Sequence, residues 1–220
     1  MPVELVTLHT VDGVELDGAL YTARGAVPRG AVLMVHGLTW NFYRGPSRWL
    51  PPRLAELGYT VLSLNMRDHD LTEPKDFSLS HHDIRAGVDH LAGLGAGPVA
   101  IVAHGYACNK VACYPAWSAD GRVRSLVLTT LGAVQAYRPD IWATVLREAG
   151  ALEGRVLIVQ GAIDPLIAAA ERCEELRRAA ARAAVDVVLL EGGNHYFDGR
   201  HAELAACVAG WLAEASAIHT

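Results

Sequence analysis

Short apolar runs alternate with stretches of helical spacing along most of this chain, and that alternation restricts the architecture more than any other feature. Ala31-Val32-Leu33-Met34-Val35 carries no polar side chain, as expected of a parallel strand covered on both faces. Residues 60–64, 99–102, 123–130, 156–160 and 187–190 read as further strands. Residues 48–57 have helical spacing and stop at Gly58, a residue suited to the position after a helix end. Ser47 and Ser80 read as caps, the latter ahead of a helix with Ile84, Val88 and Leu91 on one face. Further helices are expected at 106–117, after Pro139, over 168–184, and after His195 to about residue 217. Ahead of these, residues 3–10 and 14–21 are β-rich and joined by Val11-Asp12-Gly13, in which Asp-Gly marks a hairpin turn. The expected fold is α/β: a mostly parallel sheet of about eight strands, opened by an antiparallel hairpin, with helices on both faces. No repeat or linker divides residues 1–220, so one domain is expected.

Composition narrows the partners. A net charge of -5 with scattered arginines offers no basic footprint for nucleic acid. No apolar run reaches the roughly 18 residues that span a membrane, and Met1-Pro2-Val3-Glu4 shows no signal-peptide pattern. Cys108, Cys113, Cys173 and Cys207 form no CxxC pair and no metal-ligand spacing, which points to reduced thiols in the cytoplasm and no metal. No cofactor is expected, and the expected partner is a small molecule; the oligomeric state stays open.

Ile101-Val102-Ala103-His104-Gly105-Tyr106-Ala107-Cys108-Asn109 reads as a strand entering a helix through a tight turn of small residues. Together with His36-Gly37 after the third strand, Asp164 after a later one and Gly193-Asn194-His195 near the end, it resembles the α/β-hydrolase family. Leu64-Asn65-Met66-Arg67-Asp68-His69-Asp70 is similar to that family's Asp-x-Arg-Gly-His-Gly loop. Asn109-Lys110 and the His-Gly-Leu-Thr-x-Asn-Phe-Tyr segment resemble a small, little-characterised branch. The resemblance implies a nucleophile elbow in which the serine position holds Gly105, with Asp164 and His195 in the other two triad places. It also implies an oxyanion hole from the backbone N–H groups of Leu38 and Tyr106, with His36 and His104 structural. Only 131–154 fills the interval where larger members insert a cap, so little or no cap is expected. Thr39, Trp40, Tyr137 and Trp142 are the candidates for lining the site, with Phe42, Tyr43 and Tyr106 beside them.

Each candidate has a plainer reading. His195 suits acid–base work near neutral pH, or is a loop histidine satisfied by water. Asp164 would fix the His195 tautomer, or cap a helix. Gly105 fits an elbow at positive φ, where a side chain is strained. Cys108 is a substitute nucleophile or a packed core thiol. Asp68, His69 and Asp70 are consecutive, which suits a solvated loop better than a metal cluster. Three functions follow. The first is an enzyme with a His195–Asp164 general base and no seryl intermediate, doing non-covalent hydrolysis, lyase, isomerase, cyclase or cofactor-free oxygenase chemistry on a small carbonyl compound. The second is an inactive pseudo-hydrolase that binds a ligand or partner. The third is an esterase with a relocated nucleophile, or one altered at position 105.

Overall fold

A computed structural model describes residues 3–25, 27–69, 76–132, 138–165 and 169–217. Strands β1 (Val3–His9) and β2 (Glu15–Tyr21) form the opening hairpin. Its turn closes where the Thr10 N–H donates to Val14 O at 2.9 Å and the Gly13 N–H to Thr10 O at 3.0 Å. There follow β3 (Gly30–Val35), α1 (Pro46–Glu56), β4 (Tyr59–Leu64), α2 (Ser80–Gly93), β5 (Val99–Gly105) and α3 (Ala107–Ser118). The second half runs β6 (Val123–Leu131), α4 (Pro139–Glu148), β7 (Gly154–Gly161), α5 (Ala169–Ala179), β8 (Ala183–Leu190) and α6 (His201–Ala217). The described strands form one eight-stranded sheet, ordered β1-β2-β4-β3-β5-β6-β7-β8. β2 pairs antiparallel with β1 and β4, and every other pairing is parallel.

Side chains alternate across the sheet with the period of two that a strand imposes. On β3, Ala31, Leu33 and Val35 join one core, and Val32 and Met34 the other. Val88 and Leu91 of α2, Val111 of α3, Val145 of α4 and Leu176 of α5 cover the first. Leu50 and Leu54 of α1, with Leu204, Val208 and Leu212 of α6, cover the second. Each fully buried aliphatic side chain contributes about 1.5–3 kcal/mol. The central strands are therefore held along both faces, and their C-terminal ends become fixed mounts for the loops beyond.

Two expectations need correction. The alanine-rich stretch does not stay helical to residue 184: α5 ends at Ala179 and β8 starts at Ala183. Residues 183–190 pair in register with Gly154–Gly161, and that ladder overrides helix propensity. Neither serine is an N-cap. Ser80 is the first residue of α2 and its Oγ donates to Phe77 O at 2.7 Å. The capping carboxylate is Asp76, which accepts from the Ser78 N–H at 3.0 Å and starts the 3-10 turn Phe77–Leu79. Ser47 lies inside α1, where Gly45 holds the cap position. No helix among the described residues is long and apolar enough to cross a membrane.

Candidate active site

Loops at the C-terminal ends of β3, β5, β6, β7 and β8 meet at one edge of the sheet, the edge where open α/β sheets gather ligands. Gly105 closes β5 at φ 59°, and Tyr106 follows as the N-cap residue of α3. A Cβ built on Gly105 would stand 3.7 Å from His195 Nε2 and 3.9 Å from Gly37 Cα, with nothing nearer. The site thus has room for a side chain at 105, while the left-handed backbone there favours glycine. The Tyr106 N–H opens α3 and has no intrahelical acceptor. The Gly132 N–H donates to Gly105 O at 3.2 Å and ties the end of β6 to the turn.

His195 Nδ1 lies 2.9 Å from Asp164 Oδ2. The Asp164 carboxyl is shut away from solvent, whereas the His195 side chain keeps 15% of its surface exposed. With the carboxylate as acceptor, Nδ1 carries the proton and the Nε2 lone pair faces the Gly105 side. Gln160 at the end of β7 holds the acid: its Nε2 donates to Asp164 Oδ2 at 3.0 Å, and its Oε1 accepts the Leu131 N–H at 3.0 Å. Thr130 Oγ1 donates to His195 O at 3.3 Å. The Asp164 and His195 loops are also joined through their backbones, with the Ala162 N–H on Leu190 O and the Ile163 N–H on Gly193 O, both at 3.0 Å.

Backbone strain gathers here. Thr39 (φ 61°), Thr130 (57°) and Phe197 (57°) are non-glycine residues in the left-handed region, each at a cost of about 1–3 kcal/mol. They sit in the loop after β3, at the end of β6, and two residues past His195. The Thr130 hydroxyl is held on His195 O, and the Phe197 N–H donates to Asn194 O while its carbonyl accepts from the Arg200 N–H, contacts of the kind that let strained backbone persist.

The other two histidines are locked neutral. His36 Nδ1–H donates to Gly37 O at 2.8 Å and Nε2 accepts the Met66 N–H at 3.0 Å, which fixes the loop bearing Leu38. Burial pushes its pKa down to about 4. His104 Nδ1–H donates to Thr129 Oγ1 at 3.1 Å, whose hydroxyl donates to Ala103 O at 2.8 Å. Burial pushes this ring down to about 3. Trp40 stacks on His104 with ring centres 5.3 Å apart and also meets Tyr196. Its indole lies where a Cβ on Gly45 would be, 2.0 Å from that position, so this placement requires glycine at 45.

Several sequence candidates fall elsewhere. Trp142 is buried on α4 and its Nε1 donates to Glu175 on α5 at 3.0 Å, so it packs helix on helix. Tyr137 and Asp70 lie outside the described residues. Phe42 packs toward the α1 and α6 core, and Tyr43 is exposed beneath the Arg48 guanidinium. Cys108 is packed as a core thiol: it is buried, its Sγ faces the Ala103 and Thr129 carbonyls at 3.6 Å each, and burial pushes the thiol far above its ordinary value. Asp68 is not in a solvated loop. It is buried and accepts from Lys110 Nζ with both oxygens, at 2.7 and 2.6 Å. His69 Nδ1 sits 3.0 Å from Met66 O. Among the described residues no group of histidine, cysteine, aspartate and glutamate is arranged to hold a metal ion.

Sequence reasoning gave Gln160 and Lys110 no role at the site. Gln160 did carry a signal, being a polar residue closing an otherwise apolar strand. Lys110 sits one helical turn past Tyr106 with its ammonium 5.5 Å from that ring, and its partner lies 42 residues away. Burial pushes the Lys110 pKa below its ordinary value and Asp68 opposes that shift.

No protein-family model matches the chain, and no characterised protein matches it in sequence. Solved structures do match its shape. Est1E from Butyrivibrio proteoclasticus superposes with a TM-score of 0.81 at 16% identity, covering 97% of this chain and 99% of that one. A dienelactone hydrolase from Anabaena variabilis gives 0.76 at 18% identity, covering 96% of each chain. An alpha-beta serine hydrolase homologue from Coxiella burnetii gives 0.75 at 18%, covering 95% and 97%. Likeness at such identities speaks for the fold, and the fold is that of the α/β-hydrolases.

Proposed function

We propose that this protein is an enzyme that acts on a small carbonyl compound with His195–Asp164 as general base and no seryl intermediate. The observation that carries this reading is the gap at Gly105, where a Cβ would stand 3.7 Å from a histidine nitrogen already oriented by a buried carboxylate. The place a serine oxygen would take is open to a substrate atom or a water. His195 Nε2 removes a proton from water or from carbon beside the carbonyl, and the released electron pair attacks the carbonyl or forms an enolate. The Leu38 and Tyr106 N–H groups receive the negative oxygen. In hydrolysis that oxyanion collapses, the bond to the leaving oxygen breaks and the imidazolium, facing Asp164, protonates it, whereas from an enolate the imidazolium returns the proton to carbon. A positioned base contributes about 10²–10⁴-fold and one oxyanion donor about 10²–10³-fold. Thr39 and Trp40 would flank the substrate. The free thiols Cys108, Cys113, Cys173 and Cys207 support a cytoplasmic setting.

The test combines small lactones and esters with deuterium exchange beside the carbonyl of simple ketones and thioesters. The wild type turns over at least one class and is not labelled by a fluorophosphonate, while His195→Ala and Asp164→Asn lose that turnover. Fluorophosphonate labelling of the wild type, or turnover indifferent to both substitutions, overturns the reading. Absence of turnover across all classes leaves a ligand-binding pseudo-hydrolase in its place.

A further inference from the structure

The opposite edge of the sheet carries a second cleft, about 20 Å from the dyad by the length of one strand. Its volume is ≈ 350 Å³, and its walls come from Gly30, Tyr59, Pro98, Ala100, Leu212 and Ala215 at the starts of β3, β4 and β5 and the end of α6. Gly121 and Arg122 before β6, and Arg124 and Ser125 at its start, also line it. Most of this lining is apolar, and small concave apolar sites with a few polar groups are where ligands bind.

Among the polar groups of this lining, Tyr59 and Arg124 stand out. Tyr59 is 3% exposed, and its hydroxyl is buried with no hydrogen-bond partner. Its ring runs alongside Gly30, with Cδ1 and Cε1 each 3.9 Å from where a Cβ on Gly30 would be. Gly30 pairs with Tyr59, so the ring lies across the start of β3, and Tyr59 and Ala100 line the cleft together. Phenylalanine would fill the same space without a buried hydroxyl, and an unsatisfied one is destabilising. The second group is the Arg124 guanidinium. Its Nε donates to Gly121 O at 3.3 Å, and among the described residues no carboxylate pairs with it. The neighbouring Arg122 is held by Asp120 and Asp89, at 2.6 Å each.

We propose that this cleft binds a small organic anion: an aryl carboxylate whose acid group meets Arg124 and whose far end carries a hydroxyl or carbonyl for Tyr59. The apolar body lies against Ala100, Leu212 and Ala215. A ligand there would bridge the starts of β3 and β5, the strands that carry Leu38 and Gly105 beyond their other ends.

Amide NMR titration with 4-hydroxyphenylacetate tests this, with phenylacetate and 4-hydroxyphenylacetamide as comparators. Saturable shifts are expected at Ala31, Ala100 and Ala215, and loss of either ligand group weakens binding about tenfold. Tyr59→Phe should erase the advantage of the hydroxylated acid over phenylacetate, and Arg124→Gln the advantage of acid over amide. Failure to saturate, shifts confined to the surroundings of Gly105 and His195, or binding unchanged in both variants overturns the proposal.

Discussion

Two oppositely charged or chargeable pairs lie within the loops and helix at the C-terminal edge of the sheet, and they are built to opposite ends. In Lys110–Asp68 both side chains are 4% exposed, and the ammonium meets both oxygens of one carboxylate. In His195–Asp164 the carboxylate is equally hidden, yet the ring keeps one nitrogen turned toward the open side of Gly105. The sealed pair cannot exchange a proton with anything that enters. It joins α3 to the loop after β4, which His36 in turn ties to the loop bearing Leu38. Charge alone does not separate the pair proposed as reactive from the structural one. The accessible lone pair does.

The largest expected effect comes from breaking the sealed pair. Asp68→Ala strands a buried ammonium and should cost about 3–5 kcal/mol in urea unfolding, whereas the double change Asp68→Leu with Lys110→Met should be far milder. A single variant no worse than the double one would mean that the pair is not effectively sealed. The open pair should behave in the reverse way. Asp164→Asn should lower turnover by about 10²–10⁴-fold, with a much smaller change in stability than Asp68→Ala. Comparable losses of stability at the two sites would erase the distinction.

A pH series adds the neutral histidines to the comparison. Above the unfolded value of 6.5, His36 and His104 are neutral in both states and contribute no slope. Below it the unfolded chain takes up protons that the folded rings refuse until about pH 4 for His36 and about pH 3 for His104. Stability should therefore fall as pH drops from about 6.5 toward 4, by about 1 kcal/mol per pH unit for each ring at full difference. Unfolding curves that coincide at pH 6.5 and pH 5 would contradict the locked assignment. The smallest effect concerns Gly105→Ser. Strain at positive φ should lower stability by about 1–2 kcal/mol, while the variant gains p-nitrophenyl acetate hydrolysis and fluorophosphonate labelling. Gly105→Ala should show the same strain and neither activity.

Much of this was readable from residues in order. Apolar runs such as 31–35 declare buried strands because no polar group interrupts them, and the Asp-Gly turn declares the hairpin. Asp164 and His195 could be nominated because each follows a strand at the edge where loops gather. What stayed hidden depends on contacts between distant positions. Nothing in residue order pairs Lys110 with Asp68, 42 positions away, and Trp142 looks like a pocket aromatic until α5 arrives beside it. The start of β8 was masked by alanines that favour helix, because strand pairing is decided by the neighbour and not by the segment.

The clearance at Gly105 has a genetic reading. A Cβ there would meet nothing beyond its chain neighbours closer than 3.7 Å, so the obstacle to exchanging glycine for serine is the backbone strain at positive φ and not a neighbouring atom. Glycine codons that end in a pyrimidine differ from serine codons in their first base alone. On the proposed reading, a chemistry through a covalent enzyme intermediate and one without it lie a single transition apart on one scaffold.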